Sequence, residues 1–440
     1  MRNYFYKSLA KYISFYIPDT ENLLIINPDE KRIVESLPNA KVYYINATKI
    51  EGIDEARVIK NEKELKKENF QYILLNSTIH LERDIQDFLN KVYLISHPDT
   101  RIIITYFSNV WRPFLKLATL LGLRRKTEES NWIAHEDLEN LLILSSMEKV
   151  KRESKFLFPM HLLFIGEFIN RFISPLPFFN LFNLVNILIA RPIHSNNTLK
   201  KPSVSIVVPA RNESGNIENI LKRVPKMGPD DELIFVEGNS TDDTWEKILE
   251  ITPKYKKKHK IIIAKQDGKG KGDAVRKGFS LATKEILMIL DADLTVTPED
   301  LPRFYEAISK GKGEFINGSR LVYPMEKEAM RFFNLLGNKF FALSFSFVLG
   351  QRFKDTLCGT KVLTRENYLR IVKNRSFFGD FDPFGDFDLL FGASRFCLKI
   401  IEVPITYRER TYGTTNISRW KHGSILLAML LFAARKIKFL

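Results

Sequence analysis

Ile286-Leu287-Met288-Ile289-Leu290-Asp291-Ala292-Asp293 is the stretch on which the reading of this 440-residue chain turns. Five large apolar residues running into acid predict a buried strand. Residues i and i+2 leaving a strand point to one side, so Asp291 and Asp293 are expected to face one hard cation, Mg2+ or Mn2+, that also holds phosphate oxygens. An isolated Asp-x-Asp is usually surface acid. Its place behind a buried strand, last in a series of polar turns, gives this one its meaning.

Working outward, Val204 to Val208, Glu232 to Val236, Lys260 to Ala264 and Glu285 to Leu290 read as strands. They alternate with helical segments near Asn216 to Val224, Asp242 to Ile251, Asp273 to Ala282 and Pro298 to Ser309. Such alternation predicts a doubly wound α/β unit that binds ligands beyond the carboxyl ends of its strands. After the first strand, Pro209-Ala210-Arg211-Asn212-Glu213 offers backbone N–H groups and a guanidinium. After the second, Glu237-Gly238-Asn239-Ser240-Thr241-Asp242 offers carboxylates to a ribose or base, while Ser240 or Thr241 caps the next helix. The glycine-rich run Asp267 to Gly278, with Lys271, Asp273 and Arg276, suits a diphosphate at a helix N-terminus. It lacks the spacing and the Gly-Lys-Ser/Thr ending of a Walker loop.

Toward the N-terminus, Asn22 to Ile26, Val42 to Ile45, Tyr72 to Leu75 and Arg101 to Thr105 read as strands of a second parallel sheet with helices on both faces. The Phe-rich segment Lys155 to Ala190 follows, then Arg191 to Pro202 as a linker. The expected division is residues 1–160, an apolar helical segment and linker at 161–200, and residues 201–440.

A formal charge of +15 and a pI near 9.5 attract anionic membranes, phosphate-rich ligands and nucleic acids alike, so charge by itself chooses no partner. Two cysteines, Cys358 and Cys397, do not make a disulfide framework or a structural zinc site, which fits a reducing cytosolic face. The seven histidines form no ligand pair at helical spacing. Residues 1–11 lack the apolar core of a signal peptide. Phe172 to Ala190, with Asn180, Asn183 and Asn186 at spacing three, predicts an interfacial or buried amphipathic helix. Ile425 to Ala434, followed by Arg435, Lys436 and Lys438, is too short to span a bilayer and predicts a membrane-surface or core helix.

From about Pro202 to Phe439 the chain resembles a family 2 glycosyltransferase of the GT-A fold, in the branch similar to dolichol- and polyprenol-phosphate sugar synthases. The resemblance is carried by Val208-Pro209-Ala210-Arg211-Asn212-Glu213, Gly238-Asn239-Ser240-Thr241-Asp242, Gly270-Lys271-Gly272-Asp273-Ala274-Val275-Arg276 and Asp291-Ala292-Asp293. It continues through Gly318-Ser319-Arg320, Asp355 to Lys361, Phe384 to Leu390, Ile401-Glu402-Val403-Pro404 and Arg408 to Asn416. It implies an inverting transfer from a UDP- or GDP-linked sugar to a polyprenyl phosphate, another lipid or a glycan. Pro209, Ala210, Arg211, Glu213, Lys271, Asp273, Arg276 and Arg320 would contact substrate, and Glu237 and Asp242 would hold the nucleoside. Asp291 and Asp293 would hold nucleotide and metal, and Asp386 would stand near the acceptor as general base beside the catalytic Asp293. Arg408 and Arg410 would close over the diphosphate or grip an acceptor phosphate. Many family members have two aspartates where this chain has Glu237-Gly238. An ionised phosphate acceptor needs no proton removed, and Asp388 lies close by, so Asp386 also reads as a structural carboxylate.

From about Tyr4 to Pro159 the chain resembles a class I S-adenosylmethionine-dependent methyltransferase, through Phe70 to Asn76, Asp84 to Leu89 and Asn131-Trp132-Ile133. The glycine-rich loop of such enzymes is replaced by Ile25-Ile26-Asn27-Pro28-Asp29-Glu30, and the strand end at Asn46 lacks an acid. A degenerate, Rossmann-like scaffold that does not bind S-adenosylmethionine is therefore expected, in place of a bifunctional methyltransferase. The whole is expected at the cytoplasmic face of a membrane, in peripheral contact with it and without a nucleic-acid partner. Its rivals are a nucleotidyltransferase, which would attack phosphorus, and an inert basic adaptor.

Overall fold

The computed structural model describes residues 2–18, 22–45, 47–65, 68–122, 131–160, 164–193, 201–323, 332–375, 385, 387–410, 412–413 and 419–440. The chain divides into two compact units, Met1–His194 with Lys438–Leu440, and Ser195–Ile437.

The first unit is built on a six-stranded sheet of β1 (Leu23–Ile26), β2 (Lys41–Tyr43), β3 (Tyr72–Asn76), β4 (Arg101–Phe107), β5 (Met147–Lys155) and β6 (Val185–Pro192), in the order β2-β1-β3-β4-β6-β5. The first four strands are parallel, as their apolar runs predict; their inner residues are buried on both faces. β6 enters antiparallel between β4 and β5.

That strand corrects the sequence reading, because Phe172 to Ala190 is not an amphipathic helix. A helical segment ends at Ile173, Pro177–Asn180 forms a further turn, and β6 then begins at Val185. The three asparagines do not form the polar stripe of a helix but converge on Ser154 of β5. Asn183 Nδ2 donates to the Ser154 carbonyl at 2.9 Å and Asn180 Nδ2 does so at 3.4 Å, while Ser154 Oγ donates to Asn186 Oδ1 at 2.7 Å. β5 was not foreseen because Met147-Glu148-Lys149-Val150-Lys151-Arg152-Glu153-Ser154-Lys155 is rich in residues that strands usually avoid. Its buried charges are matched locally. Lys155 pairs with Glu153 at 3.3 Å, and the ammonium groups of Lys151 and Lys155 lie 4.4 and 4.8 Å from the ring centroids of Tyr16 and Tyr12.

The second unit holds a seven-stranded sheet: β7 (Val204–Ala210), β8 (Glu232–Glu237), β9 (Lys260–Lys265), β10 (Ile286–Ile289), β11 (Phe315–Ser319), β12 (Lys361–Thr364) and β13 (Ile400–Pro404). The order is β13-β11-β12-β10-β7-β8-β9, with β12 antiparallel to both neighbours. The helices Ile217–Arg223, Thr244–Ile251, Lys271–Leu281 and Leu301–Ser309 follow the strands as expected. Ile206, Val208, Phe235, Met288 and Leu290 pack one face of the sheet against helices Ile217–Arg223 and Leu301–Ser309. On the other face Gly278 meets Val207, where a Cβ would lie 2.2 Å from Val207 Cγ1. Only glycine lets helix Lys271–Leu281 approach so closely and aim its N-terminus at the strand ends.

Helix Phe332–Leu349 has a buried face and an exposed one. Phe345 is buried with ring centroids 4.9 Å from Phe387 and 5.9 Å from Phe391, whereas Leu336, Phe340 and Leu343 form an exposed stripe. Helix Arg419–Ala433 likewise buries Met429 and Ala433 and exposes Leu427 and Leu431. Among the described residues no helix is long and apolar enough to cross a membrane. Cys358 and Cys397 are both buried.

Candidate active site

β9, β8, β7 and β10 run parallel, so the polar turns at their carboxyl ends meet along one edge. The turns after β7 and β8 are bonded to each other. Asn212 takes a left-handed conformation, its N–H donates to Ser240 Oγ at 3.1 Å, and its Oδ1 accepts from the Thr241 N–H at 2.8 Å. Ser240 and Thr241 are thus tied across to the turn after β7 and do not cap the next helix, whose N-cap position is Asp243; Asp242 Oδ1 accepts from the Thr244 N–H at 3.1 Å. Glu237 is buried and turned inward, accepting from the Ser240 N–H at 2.5 Å. Pro209 and Ala210 end β7, and Arg211 extends outward from it, exposed.

The glycine-rich loop closes on its own carboxylate, since the Gly268 N–H donates to Asp273 Oδ2 at 2.7 Å. Gly270, at φ 85°, then turns the chain into the helix that carries Lys271 and the half-buried Arg276. Lys271 Nζ reaches Asp291 Oδ1 at 2.7 Å.

Asp291 and Asp293 lie in a turn, not on a continuing strand. Leu294 has φ 55°, and its N–H returns to the Asp291 carbonyl at 3.3 Å. The turn gives each carboxylate its own cation. Asp293 Oδ1 accepts from Thr295 Oγ1 at 2.8 Å, and Asp293 Oδ2 accepts from Arg410 Nη2 at 2.6 Å. Arg410 Nη1 donates to Glu213 Oε1 at 3.1 Å, and Asn216 Nδ2 donates to Glu213 Oε2 at 2.8 Å. Burial pushes the Glu213 carboxyl up to about 7, against the pull of Arg410.

Arg410 is held there by its neighbours. The Arg408 N–H donates to the Thr295 carbonyl at 3.1 Å, and Tyr412 OH lies 2.9 Å from Ser214 Oγ. The Tyr412 ring covers Gly215, where a Cβ would come within 2.5 Å of it. Gly359 makes a second close approach that the sequence did not reveal, although Cys358-Gly359-Thr360-Lys361 lies in a recognised motif. A Cβ on Gly359 would lie 2.0 Å from Asp291 Oδ2 and 2.3 Å from Lys271 Nζ.

Arg320 is not among these cations. Its guanidinium is buried in a two-point pair with Asp355, at 2.7 and 2.9 Å, and lies 5.0 Å from the Tyr407 ring centroid. Asp386 lies outside the described residues, whereas Asp388 pairs with Arg375 at 3.0 Å. The structure therefore gathers Glu213, Lys271, Asp291, Asp293 and Arg410, with Asp242 one turn away. Among the described residues no group of three or more His, Cys, Asp or Glu is assembled for a metal. Two carboxylates at a cation-lined turn still fit Mg2+ or Mn2+, which complete their shells with phosphate oxygens and water.

Residues 205–368 match the model of glycosyl transferase family 2. That segment contains every turn described above, and Arg408, Arg410 and Tyr412 lie beyond it. Dolichol-phosphate mannosyltransferase of Pyrococcus furiosus is 30% identical over 221 residues, 49% of this chain and 59% of the relative. Glycosyltransferase AglJ of Haloferax volcanii is 29% identical over 52% of this chain and 71% of its own length. Undecaprenyl-phosphate 4-deoxy-4-formamido-L-arabinose transferase of Pectobacterium atrosepticum is 26% identical over 52% and 66%. The match thus spans about three fifths of the mannosyltransferase's length. Glucosyl-3-phosphoglycerate synthase of Mycobacterium tuberculosis, solved with Mn2+ and UDP, covers 54% of this chain and 80% of its own at 16% identity and a TM-score of 0.38, a remote likeness.

Proposed function

We propose that the second unit transfers a sugar, with inversion, from a UDP- or GDP-linked donor to a polyprenyl phosphate at a membrane surface. The observation that carries this reading is the pairing of Asp291 with Lys271 and of Asp293 with Arg410 at the ends of parallel strands. Two carboxylates beside two cations at the strand ends support a diphosphate and its metal as the ligands of this site. Bound there by Asp291 and Asp293, Mg2+ or Mn2+ would offset charge developing on the departing nucleoside diphosphate.

The chain's own residues have distinct tasks in this scheme. Lys271, at a helix N-terminus, adds fixed positive charge beside the diphosphate. Asp242 and Glu237 shape the nucleoside side of the cleft, with Pro209, Ala210 and Arg211 along its β7 wall. Arg410 turns from the protein carboxylates toward phosphate when the donor binds, with Arg408 beside it, and Tyr412 holds that segment over Ser214 and Gly215. Asp386 and Arg276 are assigned to the acceptor and phosphate sides. The curated relatives are named for dolichol-phosphate and undecaprenyl-phosphate transfers, which supports the lipid phosphate as acceptor.

For the first unit we propose a methyltransferase-like scaffold that does not bind S-adenosylmethionine. In its parallel sheet β2 and β3 lie on opposite sides of β1, so a ligand crevice would open beyond β1 and β3. At these strand ends side chains of the protein bond to one another and to backbone. Asn27 Nδ2 donates to the Ile45 carbonyl and to Glu82 Oε1, both at 3.0 Å, and the Ile45 N–H donates back to Asn27 Oδ1 at 2.8 Å. Asn76 Nδ2 donates to Asp29 Oδ1.

The test is to supply labelled UDP- and GDP-sugars with polyprenyl phosphate and divalent metal, and to follow label into the organic phase. Transfer from one donor, lost in Asp291→Asn and Asp293→Asn, is expected. No lipid-linked label from any donor would remove the lipid-phosphate acceptor.

A further inference from the structure

Lys155 and Val185 are paired neighbours on β5 and β6, and antiparallel strands can be joined by two residues. The chain instead runs through residues 156–184, and much of what it adds is exposed and apolar. Phe164 is 80% exposed, Phe178 66% and Leu181 66%, with Phe168, Phe172 and Phe182 also exposed. Long insertions of this kind in a compact domain are usually functional.

This connection leaves from the same end of the sheet as the helix that follows β4, because Phe107, Val185 and Lys155 stand in register. Trp111 joins the two segments. Its Nε1 donates to the Phe182 carbonyl at 2.7 Å, its ring lies 5.8 Å from Phe114, and Phe178 lies 5.5 Å from Phe182. Helix Arg112–Leu120 then continues the apolar surface with Phe114 (61%), Leu117 (55%) and Leu120 (85%). Soluble domains rarely expose a joined apolar surface of this kind without a partner for it.

The charges around it select the partner. Arg112, Lys116 and Arg171 are exposed on these segments, and Arg171 lies over the Phe172 ring at 5.4 Å. Glu167 is the single carboxylate within 156–184, and helix Arg112–Leu120 has none. A second copy docking by a two-fold axis would bring like charges together. A bilayer with anionic headgroups accepts both features, with aromatic rings entering the interfacial layer and cations meeting lipid phosphates. The helical turns Ile165–Phe168 and Pro177–Asn180 are too short to enter further than that layer.

We propose that this face of the first unit docks the protein on anionic membranes. The unit then has a task that needs no cofactor. This inference concerns attachment and stands whether or not the second unit uses a polyprenyl phosphate.

Co-sedimentation of the full chain with vesicles of phosphatidylcholine, with and without phosphatidylglycerol, tests it. Wild type should bind the anionic vesicles, and the triple variant F114Q/F164Q/F178Q should bind them at least about tenfold more weakly with an unchanged melting temperature. K116E/R171E should lose most of the preference for phosphatidylglycerol. A second-unit control, L343Q/L431Q, should keep more than about half of the wild-type affinity. Undiminished binding by the folded triple variant, binding lost only in L343Q/L431Q, or a wild-type dimer that ignores vesicles and is broken by the triple variant would each overturn the proposal.

Discussion

Arg410 Nη2 donates to Asp293 Oδ2 at 2.6 Å, so a guanidinium covers one of the two carboxylates assigned to the metal. Lys271 covers the other, Asp291, at 2.7 Å. Both carboxylates are therefore paired within the protein, and an arriving cation must compete with two side chains.

Removing one competitor makes that exchange measurable. In donor-free protein Arg410→Ala should bind Mn2+ about threefold to tenfold more tightly, as expected for losing a partly exposed ion pair of about 1 kcal/mol. Calorimetry or the Mn2+ spin-resonance signal reads this directly. Weaker Mn2+ binding would show that Arg410 organises the carboxylates and does not compete for them.

Lys271→Met should act in the opposite sense on nucleotide. It removes a charge-assisted partner of the diphosphate, and affinity for the nucleoside diphosphate with metal should fall about tenfold or more. Unchanged affinity would move the diphosphate away from this helix.

Two glycine substitutions separate site from scaffold. Gly359→Ala sets a methyl group against Asp291 and Lys271 and should abolish turnover while leaving the melting temperature within a few degrees. Gly278→Ala presses on Val207 inside the core and should destabilise the second unit by about 1–3 kcal/mol. Thermal melting alongside turnover distinguishes them, and equal effects of both variants on both readouts would contradict the assignment.

Asp29 gives the first unit a pH signature. Burial pushes its carboxyl up to about 7, opposed by the hydrogen bond from Asn76. The folded chain therefore holds a proton that the unfolded chain has already released above about pH 4. The stability this contributes is fully present below the unfolded value and is lost as pH rises toward 7. Asp29→Asn should flatten that decline in denaturant midpoints between those limits; an unaltered slope would assign the decline to other groups.

The second unit was largely legible in the sequence because its parallel strands are continuous apolar runs and each is followed by a polar turn. Asp291 and Asp293 stood out for that reason, although the turn, and not strand alternation, sets their directions. The sequence reading assigns Arg410 to phosphate and does not reveal its pairing with Asp293 and Glu213, since that contact joins residues more than a hundred positions apart. Gly359 carries no local signal; its need for a missing Cβ arises only when β12 is laid beside β10. In the first unit β5 and β6 were obscured for opposite reasons. β5 buries lysines that aromatic rings and Glu153 support, and the asparagines before and within β6 mimic a helical stripe while bonding Ser154.

Nucleoside diphosphate release from a panel of UDP- and GDP-sugars, with Mn2+ or Mg2+ and with or without polyprenyl phosphate, tests the central claim most directly. The account predicts release from one donor, increased by the lipid, abolished by EDTA and reduced at least about a thousandfold in Asp293→Asn. Equal release by Asp293→Asn, or release indifferent to EDTA, would contradict it.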